Sequence, residues 1–405
     1  MSMKLLFVTW DGPGTTYHET LFIPLLERSV DPGDKVGLFQ MSSSAEERVE
    51  HLSRLAAKKG MQFEHRKVPR GPSSWQLPFV LLSVLLRIAR LLRRGQYDVL
   101  MARSTIPGGL AVMAHLLAVG RGRFIFDADG LSADEAIEFA GWPAYGSRYG
   151  FSRILERLAT RHADVVLTRT QKSVDILGER AGVEAERFVV VINGKDPAEF
   201  APASREQRRR TRADLDIPDA CPLLVYAGSI GPQYEPAMML RVLEALHEIG
   251  LPARLLMLIA ESNHDRIRVL AGSRSLDYLT LRHACPDQVP ALLAAADVGL
   301  AFRRPTFSQQ AVAPIKVAEY LLCGLPIVYS SGVGDLDQQL TDEVGIAVSS
   351  HDEAEAMRVA TWIANTLLPQ WESRSRAARR VGLDRFSLEA GAATYREAFE
   401  VAGVR

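Results

Sequence analysis

The chain has 405 residues, 47% apolar and 24% charged, an ordinary globular composition that excludes a disordered or fibrous protein and is enough for two or three packed cores. Lys plus Arg and Asp plus Glu both number 48, so no net positive field recommends a nucleic-acid partner. Cys221, Cys285 and Cys323 lie far apart without a C-x-x-C spacing; this argues against a disulfide framework and a thiolate zinc site, and a reducing cytoplasm is expected.

Leu5 to Thr9 reads as a buried parallel strand, and the apolar run ending at Asp11 is too short for the core of a signal peptide. The loop Trp10 to Tyr17 holds Gly12 and Gly14, which let backbone approach a ligand closely, before a helix from about His18 to Arg28. Tyr17 stands where a dinucleotide fingerprint needs its third glycine, so an NAD site is disfavoured. Further strands are expected at Val36–Gln40, Gln62–Val68, Asp98–Ala102, Arg123–Ala128, Val165–Thr168 and Phe188–Ile192, with helices around Glu46–Lys59 and Leu77–Arg94. Such alternation predicts a parallel sheet covered by helices. Phe79 to Leu92 is shorter than the roughly 20 apolar residues of a membrane span. Either it packs on the sheet, or it lies in a membrane surface with its leucines at the headgroup boundary and its arginines on anionic lipid. Arg103 to Gly109 follows a strand and precedes a helix, a crevice position, and the next strand runs into Asp127 and Asp129.

Pro202 to Pro218 is polar and proline-bounded, and its run Arg205, Arg208, Arg209, Arg210 and Arg212 reads as a linker with a solvated helix. The strand–loop–helix pattern then restarts: Pro222–Ala227, a phosphate-sized loop of Gly228, Ser229, Ile230 and Gly231, and a helix Glu235–Ile249. Later, Val298–Phe302 is a strand leading through an aperiodic stretch to Pro314, placed as first helical residue, and Gly324, where the helix stops before Pro326. A helix beginning at Pro314 and Ile315 beyond the carboxyl end of a parallel strand turns free N–H groups and its positive dipole end into the ligand crevice. Lys316 in its first turn suits a phosphate, and Glu319 one turn later suits a vicinal diol. The same i, i+3 spacing also fits a solvated surface pair. From His351 the chain reads as helical, through Leu388–Val401.

Pro314 to Val328, P-x-K-x-x-E-Y-L-x-x-G-x-P-I-V, resembles the nucleotide-sugar-binding helix of retaining glycosyltransferases of family four, which have the GT-B fold. The segments Phe126–Glu135 and Ile192–Phe200 are family-like too. The resemblance implies an α/β protein of two Rossmann-like doubly wound domains facing each other across a cleft. It places an acceptor domain at 1–200, a donor domain at 201–386, and a last helix, 387–405, packed back on the first. It implies that Glu319 binds the donor ribose, and that Gly12 and Gly14 touch donor or acceptor. Lys316, the start at Pro314 and Ile315, and the loop Gly228, Ser229, Gly231 would hold the diphosphate without a metal ion or other cofactor. Ser229 and Gln233 stand near the places where the family often has Arg and Lys, so Arg303, Arg304 or Lys316 must bring the positive charge, and Ala311 replaces a first Glu that often contacts the donor sugar.

Asp127 and Asp129 admit two readings. D-x-D after an apolar strand resembles the metal motif of the other large glycosyltransferase fold, GT-A. The favoured reading is the family-four F-D-x-R-G segment, with Asp127 as a catalytic-side cleft group and Asp129 where Arg is usual. His18 and His115 are further cleft candidates. The expected protein is thus a cytoplasmic hexosyltransferase using a nucleotide-diphosphate sugar and a sugar or lipid-linked acceptor, with a membrane surface as partner if Phe79–Arg94 is interfacial. The alternatives are a GT-B nucleotide-sugar epimerase and a non-catalytic nucleotide-binding partner protein.

Overall fold

A computed structural model describes residues 2–70 and 75–404. The chain divides into two compact units, Met1–Ile192 with Gly391–Arg405, and Asn193–Ala390. In the first, β1 (Lys4–Asp11), β2 (Lys35–Ser42), β3 (Gln62–Lys67), β4 (Val99–Arg103), β5 (Arg123–Asp127), β6 (Val165–Thr168) and β7 (Phe188–Val190) form one sheet ordered β3-β2-β1-β4-β5-β6-β7. In the second, β8 (Leu223–Ala227), β9 (Arg254–Leu258), β10 (Leu279–Arg282), β11 (Val298–Ala301), β12 (Ile327–Ser330) and β13 (Gly345–Val348) are ordered β10-β9-β8-β11-β12-β13. Every pairing is parallel. Central strands such as β4, β6, β8 and β11 are buried at every position, because helices cover both faces of a parallel sheet. Each sheet reverses direction between its first and fourth strand in chain order, and the crevice beyond the carboxyl ends at that point is where doubly wound sheets bind ligands.

The helix Ile315–Leu322 ends as its sequence suggests. Gly324 takes φ +72°, and its N–H meets Leu321 O at 2.9 Å while Leu325 N–H meets Tyr320 O at 2.9 Å, the Schellman pair that closes a helix on glycine. Pro314, expected as the first helical residue, is instead the N-cap, extended at φ −67°, ψ 118°.

The arginine run needs a larger correction. Ser204 and Gln207 form a capping box that starts the helix Arg205–Ala213, but only part of that helix is solvated. Arg212 is 1% exposed and donates to the carbonyls of Ala295 and Pro218, each at 3.0 Å, and of Cys221. Arg208 meets Asp297 at 2.6 Å and lies over the Trp371 ring. Carbonyls at the ends of neighbouring elements need donors once buried, and the guanidinium fork supplies several at once.

The last helix, Leu388–Val401, belongs from Gly391 with the first unit, where Thr394 Oγ1 accepts from Ile192 N–H at 3.2 Å and Arg396 reaches Arg28 O at 2.7 Å. Among the described residues no helix is long and apolar enough to cross a membrane.

Candidate functional site

In the second unit, the carboxyl ends of β8, β11 and β12 gather the expected groups. After β8 the chain turns at Gly228, whose φ of +136° is open only to glycine without strain. A methyl group there would lie 3.2 Å from Lys316 Nζ, so the loop and the lysine are neighbours. Tyr226, at the end of β8, joins them from below: its hydroxyl donates to Ser229 O at 2.5 Å, and its ring centroid is 3.8 Å from Lys316 Nζ. Tyr234 presents a second ring, 4.7 Å from that ammonium and 4.8 Å from the Arg303 guanidinium. Gly231 lies close against Gln233, whose Oε1 a methyl group on that glycine would overlap.

Lys316 is 9% exposed and its Nζ has no hydrogen-bond partner. Burial, and then the positive charge of Arg303, push its pKa well below the ordinary 10.5; Glu319 opposes the shift without cancelling it. The ring faces offset part of the desolvation, since a cation over an aromatic face is attracted by the quadrupole. Arg303, 8% exposed, is held by Gln309 Oε1 at 2.6 Å, and its backbone N–H by Ser330 Oγ at 3.0 Å. Arg304 turns away and pairs with Glu235 at 2.5 Å. Two buried cations thus converge beside a glycine turn and a helix start, and among the described residues no carboxylate forms an ion pair with either, a geometry that awaits an anion.

Glu319 does not pair with Lys316. Its Oε1 meets Lys195 Nζ at 2.9 Å, and both side chains are largely buried. The solvated i, i+3 pair is therefore excluded. Lys195, in the connector after β7, was passed over in the sequence because nothing local marks its carboxylate partner.

In the first unit, Gly12 and Gly14 are exposed beyond β1, as a ligand-facing loop requires. Arg48 supports that loop, donating to Thr15 O and to Glu19 at 2.7 Å. Beneath it, His18 is 1% exposed, 2.9 Å from Thr9 Oγ1 and 3.2 Å from Asp11. Gln40 donates to the same carboxylate at 2.9 Å. Burial alone would raise the Asp11 pKa, but His18, Gln40 and Thr9 hold it below the usual range. His18 is a partnered interior residue and not an open cleft base. His115 lies in the last turn of the helix Thr105–Leu117, at the end opposite the crevice.

Asp127 also departs from expectation. It is fully buried, accepts from Arg103 at 3.0 Å and Arg169 at 2.9 Å, and these guanidiniums hold its pKa down against the effect of burial. A carboxylate held by two cations takes no proton near neutrality; it positions Arg103 and Arg169. Asp129, at φ +61°, pairs with Arg103. Neither aspartate is free for a D-x-D metal site, and among the described residues no group of three His, Cys, Asp or Glu could hold a metal ion. The glycines of Arg103–Gly109 serve packing: side chains at Gly108 and Gly109 would strike Phe126 and Leu155.

Two doubly wound parallel units, with an anion-ready crevice in the second, define the GT-B class of fold. Residues 41–194 match the Glycosyl transferase 4-like domain family. The chain is 26% identical over 223 residues to the D-inositol 3-phosphate glycosyltransferase of Salinispora tropica, covering 49% of this chain and 43% of that protein. It is 25% identical over 235 residues to the putative colanic acid biosynthesis glycosyl transferase WcaI of Escherichia coli, covering 57% of this chain and 56% of that one. The chain thus spans about half the length of the curated relatives it matches. Anabaena HepE, solved in complex with UDP-glucose, superposes with a TM-score of 0.74 at 15% identity over 100% of both chains. The chain has the GT-B fold, and its residues 41–194 are similar to the family-four-like glycosyltransferase domain.

Proposed function

We propose that the chain transfers a hexose from a nucleotide-diphosphate sugar to an acceptor hydroxyl with retention, in the synthesis of a cell-surface polysaccharide or glycoconjugate. The observation that carries this reading is the unpartnered, buried Lys316 ammonium, set with Arg303 beside Gly228 and the helix start at Ile315. In the reaction the bond between the anomeric carbon and the diphosphate oxygen breaks, and the acceptor oxygen bonds to that carbon on the same face. The acceptor proton passes to the departing phosphate oxygen, so a dedicated protein base is not required. Lys316, Arg303 and the N–H groups of Ile315 and Lys316 meet the charge that grows on the leaving diphosphate, the place where preorganised electrostatics accelerate most. Glu319 accepts from the nucleotide ribose. The polysaccharide role draws on the name of the colanic acid relative, and the complex of HepE makes UDP-glucose the first donor to try.

Calorimetric titration with a panel of nucleoside diphosphates tests the donor site; one base is expected to bind, and failure of all of them would remove the reading. Transfer from the matching sugar donor should survive EDTA, because protein cations take the diphosphate charge. Loss of transfer on chelation, with recovery on adding manganese, would overturn that. A new sugar formed from donor alone would instead identify an epimerase.

A further inference from the structure

Three helices of the first unit lie side by side and show solvent an apolar face. They are Leu77–Arg93, Thr105–Leu117 and Ser147–His162, the middle one packing on both others. On the first and in the turn just before it, Trp75, Phe79, Leu82 and Leu86 are all exposed, Phe79 at 67%. Their spacing puts them on one stripe, and Arg90 and Arg93 continue it at the carboxyl end. The middle helix exposes Met113, Leu116 and Leu117, and the third exposes Phe151, Ile154 and Leu158 in another stripe that runs on to Arg161. A large patch of this kind is unusual on a protein that stays free in solution.

Charge decides what covers it. The first two helices contain no Asp or Glu, and the single acid of the third, Glu156, is 3% exposed. The exposed charges on these helices, among them Arg90, Arg93, Arg157 and Arg161, are all positive. By contrast the helix Glu46–Lys58 exposes Glu46, Glu47, Glu50, Arg54 and Lys58, a mixed surface fit only for water. Apolar side chains with arginines and no carboxylates complement a layer whose surface is anionic and whose interior is hydrocarbon.

We propose that this three-helix face docks the protein on an anionic lipid bilayer. The face is wider than the single segment Phe79–Arg94 that the sequence singled out. Helices that lead into parallel strands begin at the carboxyl edge of the sheet, so the stripes start on the edge that also carries the ligand crevice of this unit. That deepens the proposed transfer, because it gives the acceptor a class: a hydroxyl carried on a membrane-anchored lipid.

The test is flotation of the full chain with vesicles of phosphatidylcholine alone or mixed with phosphatidylglycerol. Binding to the mixed vesicles is expected, weakened by salt. Leu82→Glu, Leu116→Glu and Phe151→Glu, one on each helix, should each reduce it by about tenfold or more. Nucleoside diphosphate affinity should be unchanged in the three variants, which reports their folding and separates this surface from the donor site. No binding to mixed vesicles at low salt would overturn the proposal, whatever the outcome for transfer. So would vesicle binding indifferent to Leu116→Glu and Phe151→Glu, or a dimer in sedimentation equilibrium that these variants dissociate, since the face would then belong to a second copy.

Discussion

Replacing Lys316 by methionine is expected to slow sugar transfer by roughly 10²–10³-fold, the loss seen when one preorganised donor to developing negative charge is removed. The same change should stabilise the fold by about 1–3 kcal/mol, because methionine fills nearly the same space without a buried polar head that lacks a partner. Function and stability oppose each other at this position, as they do where a site is built to wait for charge. The pH dependence has a definite sign. A base whose folded pKa lies below its unfolded value binds fewer protons when folded, so stability rises with pH across the interval between the two. For Lys316 that interval ends at its ordinary 10.5. The stability advantage of methionine should therefore be full below the interval and shrink as pH climbs toward 10.5. Denaturant titrations of both proteins at several pH values check this. Diphosphate binding should also draw in protons within the interval, measurable by calorimetry in buffers of different ionisation enthalpy and absent in the methionine variant. A folded Lys316→Met protein with wild-type turnover would take this lysine out of the reaction.

The strands were legible because parallel strands buried on both faces are written as continuous apolar runs, and β1, β8 and β11 follow that rule closely. The helix Ile315–Leu322 was legible through its punctuation, Pro314 before and Gly324 after. What stayed hidden was pairing across distance. Asp127, Arg103 and Arg169 stand at the ends of the adjacent strands β5, β4 and β6, so the sheet itself brings them together. In the sequence each is only a charged residue after an apolar run. Three such runs ending in charge of alternating sign were the available signal. Tyr226 was hidden for another reason: inside LLVYA it reads as core, and its second role depends on Lys316, which reaches its ring only in the fold. The arginine run misled because composition sees charge and not direction. Arg208 and Arg212 sit four apart on one face of their helix, and that face is the one Asp297 meets.

The Glu319–Lys195 pair yields the other large effect, and it needs two variants to interpret. Glu319→Ala removes a carboxylate proposed to bind the nucleotide ribose, and it also breaks the ion pair that this carboxylate makes at 2.9 Å with Lys195, 6% exposed. Loss of a charged hydrogen bond to the ribose should weaken nucleotide affinity by roughly ten- to hundredfold. Breaking that pair should destabilise the fold by about 3 kcal/mol, the lower end for a broken buried pair, since Glu319 keeps some contact with water. Pairing with Lys195 does not exhaust the carboxylate, whose two oxygens offer about four acceptor positions. Adding Lys195→Met to Glu319→Ala removes the buried charge that lost its carboxylate, so stability should return while affinity stays low. Urea unfolding and calorimetric titration of wild type, single and double variants read the two quantities separately. If affinity recovers together with stability in the double variant, Glu319 acts only by holding Lys195 in place, and the nucleotide is bound by the cations alone.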